Sequence, residues 1–301
     1  FRYALWLQRP ATRAYFSRGL KLFYQRKKFA RNTLDATKTV GINMLAQKFI
    51  FKRAKSRWLM HFLIMWGCVL SAAITFPLVW GWIHFKLESE TGYRAYVFGF
   101  PMQSMDVHSV MAFFTFKALN FTALMVLAGC AIAIHRRLKD RGAIAVQQFL
   151  LDFVPHLLLI AICVSGLMLT ASSTYFGGYM YSFIALSHQA IVIMTLFFLP
   201  FGKLFHIVQR PASIGVELYQ QRAKEMEQAK CRRCGVEFAS VMWLGDLKSV
   251  VEKVGFDYTM ENGETLQDYC PRCKRVMRGL AYSVLMDRPD KVFHGTRADG
   301  E

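Results

Sequence analysis

The sequence predicts an all-α membrane protein: a four-helix transmembrane bundle followed by a small cytoplasmic domain. Three observations predict it. Apolar residues make up 54% of the chain and gather into four long blocks, at about 58–85, 107–134, 149–171 and 183–207. Each block has roughly 20 residues or more, enough to cross a hydrocarbon core of about 30 Å as a helix. Lysine and arginine, 38 against 20 acids, crowd some connections and are sparse in others. Finally, four of the seven cysteines lie together in the polar stretch after the last block.

The first 57 residues form a basic arm, with fifteen lysines and arginines against the single acid Asp35. Phe1, Trp6, Tyr15, Phe16, Phe23 and Tyr24 are interleaved with them. Two readings stay open: an amphipathic helix lying on anionic lipid, or a docking surface for a partner subunit. The arm holds no apolar run resembling a signal peptide, and because the chain opens on Phe1, an upstream piece is expected. In a soluble protein a net charge of +18 would point to nucleic acid. Beside four apolar blocks it is read against a membrane, and no nucleic-acid partner is expected.

Residues 58–211 form the membrane domain. Backbone groups in lipid must be satisfied internally, so the blocks are expected as helices, with no competing strand alternation. The connection His135-Arg136-Arg137-Leu138-Lys139-Asp140-Arg141 is basic, as is the stretch after the fourth block. Residues 85–106 carry only Lys86 and Arg94 against three acids, and 172–182 carry no charge. The positive-inside rule then places both termini in the cytoplasm, in a multi-pass protein of the cell's inner (cytoplasmic) membrane. Tyr93, Tyr96, Tyr175, Tyr179 and Tyr181 suit an aromatic belt on the opposite side. Cys68, Cys130 and Cys163 stand singly in the apolar blocks and are expected as small core residues.

Seven of the eight histidines lie in or beside the blocks. Ionisable residues in membrane helices are costly and point to function. His61 stands at the cytoplasmic end of helix one, His206 at the matching end of helix four, and His188 near the outer end of helix four. His188 and His206 are 18 residues apart, five whole turns, so on one continuous helix they share a face about 27 Å apart. Bis-histidine ligation needs a second histidine at equal depth, which His61 supplies for His206. The pattern therefore predicts a haem-binding bundle. The plainer reading is a pair of hydrogen-bonded core histidines.

From His188 the chain reads HQAIVIMTLFFLPFGKLFHIVQRP. This resembles the last helix of the respiratory nitrate reductase gamma subunit family, to which the heterodisulfide reductase cytochrome b subunits are related. The shared features are two histidines 18 apart, a Pro-Phe before the second, a basic residue three before it, and His-Ile. The resemblance extends over residues 58–211, with Asp152 and Gly166 at similar places in helix three. It implies a subunit with two haems b that exchanges electrons between membrane quinone (menaquinone included) and a cytoplasmic iron–sulfur subunit. It implies His61 and His206 as ligands of an inner haem and His188 as one ligand of an outer haem. The family's second outer ligand falls here on Ser71, which does not serve haem iron in the usual way. One or two haems therefore stay open.

Lys117, inside helix two, is the leading replacement ligand, with His108 behind it and His84 also weak. A buried lysine with a lowered pKa can bind iron; it can equally hydrogen-bond a quinone or carry a proton, or snorkel to the interface. His135 is expected to be interfacial. Asp152 and His156 stand one turn apart with Pro155 between them. They form a candidate proton route for quinol oxidation, or an internal hydrogen bond that stabilises helix three.

Residues 212–301 form the cytoplasmic tail. A polar helix over 212–230 leads to Cys231-Arg232-Arg233-Cys234-Gly235 and Cys270-Pro271-Arg272-Cys273. Two such knuckles fit a four-thiolate structural zinc site in a zinc-ribbon-like domain. A single rubredoxin-like iron and unliganded thiols are the alternatives. Arg232, Arg233, Arg272, Lys274 and Arg275 would balance the thiolates or bind an acidic partner. Trp243 and Phe256 are core candidates of a ribbon-like insert. The chain carries no dinucleotide glycine motif or phosphate loop, so no substrate chemistry of its own is expected, only an electron-transfer role within an oxidoreductase. A haem-free anchor that docks a soluble complex through its zinc domain is the alternative. A transporter fits less well, because no inverted repeat is evident.

Overall fold

A computed structural model describes residues 2–146, 148–260 and 262–286. The chain is mostly helical and divides into two compact units. One runs from Gly41 to Val208; the other combines the residues up to Val40 with those from Gln209 onward. The boundaries thus fall earlier than the expected 57 and 211, and the arm shares a unit with the tail.

In the terminal unit, α1 (Pro10–Phe23) and α2 (Phe29–Thr39) precede the bundle in sequence. The bundle contains α3 (Lys55–Val79), α4 (Val110–Lys139), α5 (Val154–Tyr175) and α6 (Tyr181–Phe198). All four are long and apolar enough to cross a membrane. The terminal unit resumes with α7 (Ala212–Lys224), α8 (Val241–Lys253) and α9 (Pro271–Leu285).

Neighbouring bundle helices pack antiparallel through small residues. A Cβ on Gly67 would stand 2.5 Å from Val126 Cγ2, and one on Gly129 would stand 3.0 Å from the Met60 carbonyl oxygen. Close backbone approach of this kind is how helices associate in lipid, where apolar burial gives little drive. Val126, Cys130 and Cys163 form the buried centre between α4 and α5, with Cys68 packed against it.

The connection from α3 to α4 was expected as loop; it is a three-stranded antiparallel sheet of β1 (Ile83–Leu87), β2 (Gly92–Val97) and β3 (Phe100–Asp106). Helix α3 stops at Val79, six residues before the end of its apolar block, and Gly81 (φ +70°) turns the chain in the left-handed region. Ser109 caps α4 by accepting the Ala112 N–H.

Helix four also differs from expectation. It ends at Phe198, before Leu199-Pro200, and His206 begins a separate short helix, His206–Gln209. Proline removes a donor and disfavours helical backbone in the residue before it. The five-turn relation between His188 and His206 therefore does not hold.

In the terminal unit the arm folds onto its own chain. Helices α1 and α7 meet at Gly19 and Gly215, where a Cβ on Gly19 would come within 2.9 Å of the Gly215 carbonyl oxygen. Arg222, only 3% exposed, donates to Asn32 Oδ1, to Asp35 Oδ2 at 2.6 Å and to Glu225 Oε1. Tyr15 stacks edge-on against Tyr219 and accepts from Trp243 Nε1. Asp246 receives both Arg18 and the Tyr219 hydroxyl.

Candidate functional site

His61 lies in the second turn of α3 and His206 opens the short helix after the Pro200 break. The fold brings their rings to a centroid separation of 6.1 Å, with an interplanar angle of 60°. Two imidazoles on opposite sides of one metal, each with a metal–nitrogen bond of about 2 Å, place their centroids about 6 Å apart. His61 Nδ1 is bonded to Gln47 Oε1 at 2.9 Å. An amide oxygen only accepts, so this contact puts the His61 proton on Nδ1.

Gln47 went unremarked in the sequence. It is 2% exposed and sits at φ +52°, a left-handed position unusual for a side-chain-bearing residue. Its amide nitrogen lies 2.7 Å from Met65 Sδ, so both ends of the amide are held against α3. Trp58 and Trp66 donate to the carbonyls of Ala46 and Leu45, fastening the preceding segment to the same helix. A polar residue in a short connection gives no periodic signal, and only the fold reveals its partner.

At the other end of the bundle the polar groups are separate. His188 Nδ1 bonds the Ser165 hydroxyl at 2.8 Å, and Gly166 leaves room beside the ring. Lys117 Nζ donates to Thr174 Oγ1 at 3.3 Å, near the end of α5. Ser165 and Thr174 are nine residues apart on α5, about 13 Å at 1.5 Å per residue. Lys117 and His188 thus engage α5 at different levels. Ser71 donates to Thr122 Oγ1 at 2.7 Å, joining α3 to α4. Thr170 donates to Asn120 Oδ1 one turn from the Lys117 contact. His108 lies exposed in the turn before α4, its N–H on Asp106, and His84 lies in β1. His135 is exposed near the end of α4.

Asp152 and His156 straddle a break at Phe153, between a short helix, Phe149–Asp152, and α5. The Asp152 carboxylate, 3% exposed, pairs with Arg137 at 3.0 Å and accepts the Gln148 N–H. His156 Nδ1 bonds the backbone carbonyl of Asp152 at 2.7 Å. The pair thus ties the start of α5 to the basic end of α4.

The four cysteines of the tail converge. The sulfurs of Cys231, Cys234, Cys270 and Cys273 all lie within 4.8 Å of one another, and the cluster could hold a metal such as zinc. Cys234 and Cys270 are 3.7 Å apart. A tetrahedron with zinc–sulfur bonds of 2.3 Å has sulfur–sulfur edges of about 3.8 Å. The first knuckle sits in the turn between β4 (Gln228–Lys230) and β5 (Glu237–Ser240), where Gly235, at φ +71°, donates to the Cys231 carbonyl. The second opens α9: Cys270 is its N-cap and Pro271 its first residue. One hairpin and one helix start thus replace the expected ribbon, and the insert is helix α8. Phe256 is exposed rather than core, whereas Leu244 is buried and Phe238, Met260 and Met277 pack against the cysteines.

Burial opposes ionisation of Cys231, but the N–H groups of Cys270, Cys234 and Arg233 bring its thiol down to about 6. Burial, together with the thiols of Cys270, Cys234 and Cys231, pushes Cys273 up to about 12. One thiolate is thus favoured and a second strongly opposed, a conflict that a shared cation removes. Arg232, Arg233, Arg272 and Arg275 are exposed around the cluster.

Comparison with models of protein families, with curated proteins and with solved structures finds no match.

Proposed function

We propose that the chain is a membrane cytochrome b subunit of a larger oxidoreductase, exchanging electrons between a membrane quinone and a cytoplasmic iron–sulfur partner. The observation that supports this reading is the His61–His206 pair, two imidazoles brought close enough for one iron to lie between them. Haem b held there supplies a one-electron couple. His61 and His206 are its ligands; Gln47 orients His61 and raises its basicity. Ser71 is bonded to Thr122, and Lys117 lies well away from His188 along α5. These placements favour one haem, with Lys117 serving the quinone rather than iron. Asp152 is assigned to holding Arg137, with a proton role left to His156. The terminal unit, built around a zinc tetrathiolate with a basic rim, docks the soluble partner.

The test is the absorption spectrum of the purified chain. A Soret band with a sharp alpha band is expected, and His206→Ala removes both while zinc remains bound. A wild-type chain without haem bands leaves the haem-free anchor as the better reading.

A further inference from the structure

The β1–β3 meander has two chemically different faces. Ile83 pairs with Val97, Phe85 with Ala95 and Leu87 with Tyr93, so these six side chains share one face. His84, Lys86, Arg94 and Tyr96 share the other. There the His84 ring stacks flat on Tyr96 at 5.1 Å, and Lys86 Nζ lies 5.1 Å from the same ring. The apolar face rests on α4: the Phe85 and Tyr93 rings lie 5.2 and 5.6 Å from Phe116.

The depth of the sheet follows from the helix register. Gly67 opposes Thr122 and Val126, and Gly129 opposes Met60 and Ile64. Extended along both helices, this antiparallel match sets Val79 and Trp80 level with the first turn of α4. Phe116 is about one turn further in. A sheet that touches Phe116 therefore lies down over the helix ends instead of standing away from them.

The turn at Phe98–Gly99 folds back to the end of α3, where the Phe98 N–H donates to the Trp82 carbonyl at 2.7 Å. Phe98 adopts φ +50°, a strained value for an aromatic residue. Its ring completes a continuous aromatic edge: Phe76 to Trp80 at 5.6 Å, Trp80 to Trp82 at 4.7 Å, Trp82 to Phe98 at 5.6 Å. Trp80 is 60% exposed, Phe98 67% and the adjacent Phe100 74%. Residues 97–105 carry no charge. The edge continues without interruption from Phe76 and Val79, which are exposed on the exterior of α3.

We propose that this meander is an interfacial lipid anchor. The Trp80–Trp82–Phe98–Phe100 edge seats at the boundary between acyl chains and headgroups, and the face bearing His84, Lys86 and Arg94 is turned to the headgroups. Large amphipathic rings favour that boundary. Lipid is the occupant because the edge prolongs the helix surface that faces acyl chains when the bundle spans a membrane. The proposal rests on that spanning and not on haem.

The test places the photoreactive residue benzoylphenylalanine at single positions in the full chain, in its native membrane, and identifies adducts by mass spectrometry. An aromatic-for-aromatic exchange at Phe98 or Phe100 leaves the fold in place. Phe197, 73% exposed on α6, controls for membrane insertion. Ser89, in the charged turn at the opposite end of the sheet, controls for chance capture. Phospholipid adducts at Phe98 are expected at about the level of Phe197 and roughly tenfold above Ser89, as for a ring in the interfacial belt. Lipid at Phe197 with protein adducts, or none, at Phe98 overturns the anchor while leaving the membrane bundle intact. The absence of lipid at Phe197 removes the spanning itself, and the anchor with it.

Discussion

Gln47 holds one edge of the His61 ring. Its carbonyl oxygen is the acceptor that holds Nδ1, and its buried, left-handed setting leaves the side chain little freedom. Loss of such a second partner typically costs 10- to 100-fold in metal affinity, so Gln47→Ala is expected to weaken haem retention by about that factor. Haem titration of the apoprotein measures it, and unchanged affinity would show that the contact is incidental. Lys117 separates from the haem in the opposite sense: Lys117→Ala should leave the spectrum intact and lower quinone-dependent turnover. A changed spectrum would return it to the iron. The convergence of the four cysteines was legible in the sequence because two C-x-x-C pairs are specific, and the meeting of His61 with His206 because both stand at one end of the bundle. Gln47 and Ser165 were not, since a lone amide or hydroxyl acquires its meaning only from what the fold places opposite.

Among the elements, the existence of the four apolar helices could be read, because hydropathy over some twenty residues is a strong signal, but not their ends, which fall two to nine residues from the apolar blocks. The sheet between α3 and α4 was missed although Ile83-His84-Phe85-Lys86-Leu87 alternates plainly. The length of the apolar block outweighed the alternation, and the turn at Gly81 was passed over. The break at Pro200 was similarly visible in the sequence, yet the five-turn spacing of His188 and His206 argued for an unbroken helix. The arm's helices show their partner only in three dimensions. Arg222 bonds Asn32 and Asp35 across the α2–α7 contact, and removing one side of a buried ion pair costs about 3 kcal/mol. Arg222→Ala should therefore speed hydrogen exchange in α2 and α7 without altering protection in α3–α6. Equal loosening of both sets would mean that the two units do not unfold separately.

At the scale of the whole molecule, the division into two units puts the four-cysteine cluster in one unit and the proposed haem site in the other, so the two can be tested separately. Chelation, or Cys273→Ser, should release about one zinc per chain, as a four-ligand site requires, and loosen β4, β5 and the start of α9. Haem absorbance should persist; its loss on chelation would tie the two sites together. The same division has a consequence for how the protein is made. Asn32 and Arg222 are 190 residues apart, with α3–α6, the four helices apolar enough to cross a membrane, between them. At about 5–20 residues per second, synthesis of that stretch takes on the order of 10–40 s. Throughout that interval the newly made arm has no α7 to receive its glycine crossing, and its aromatic residues and surplus positive charge are left to the nearest anionic surface. A nascent chain stalled before residue 212 should accordingly show an arm open to protease, and the completed chain an arm that resists it.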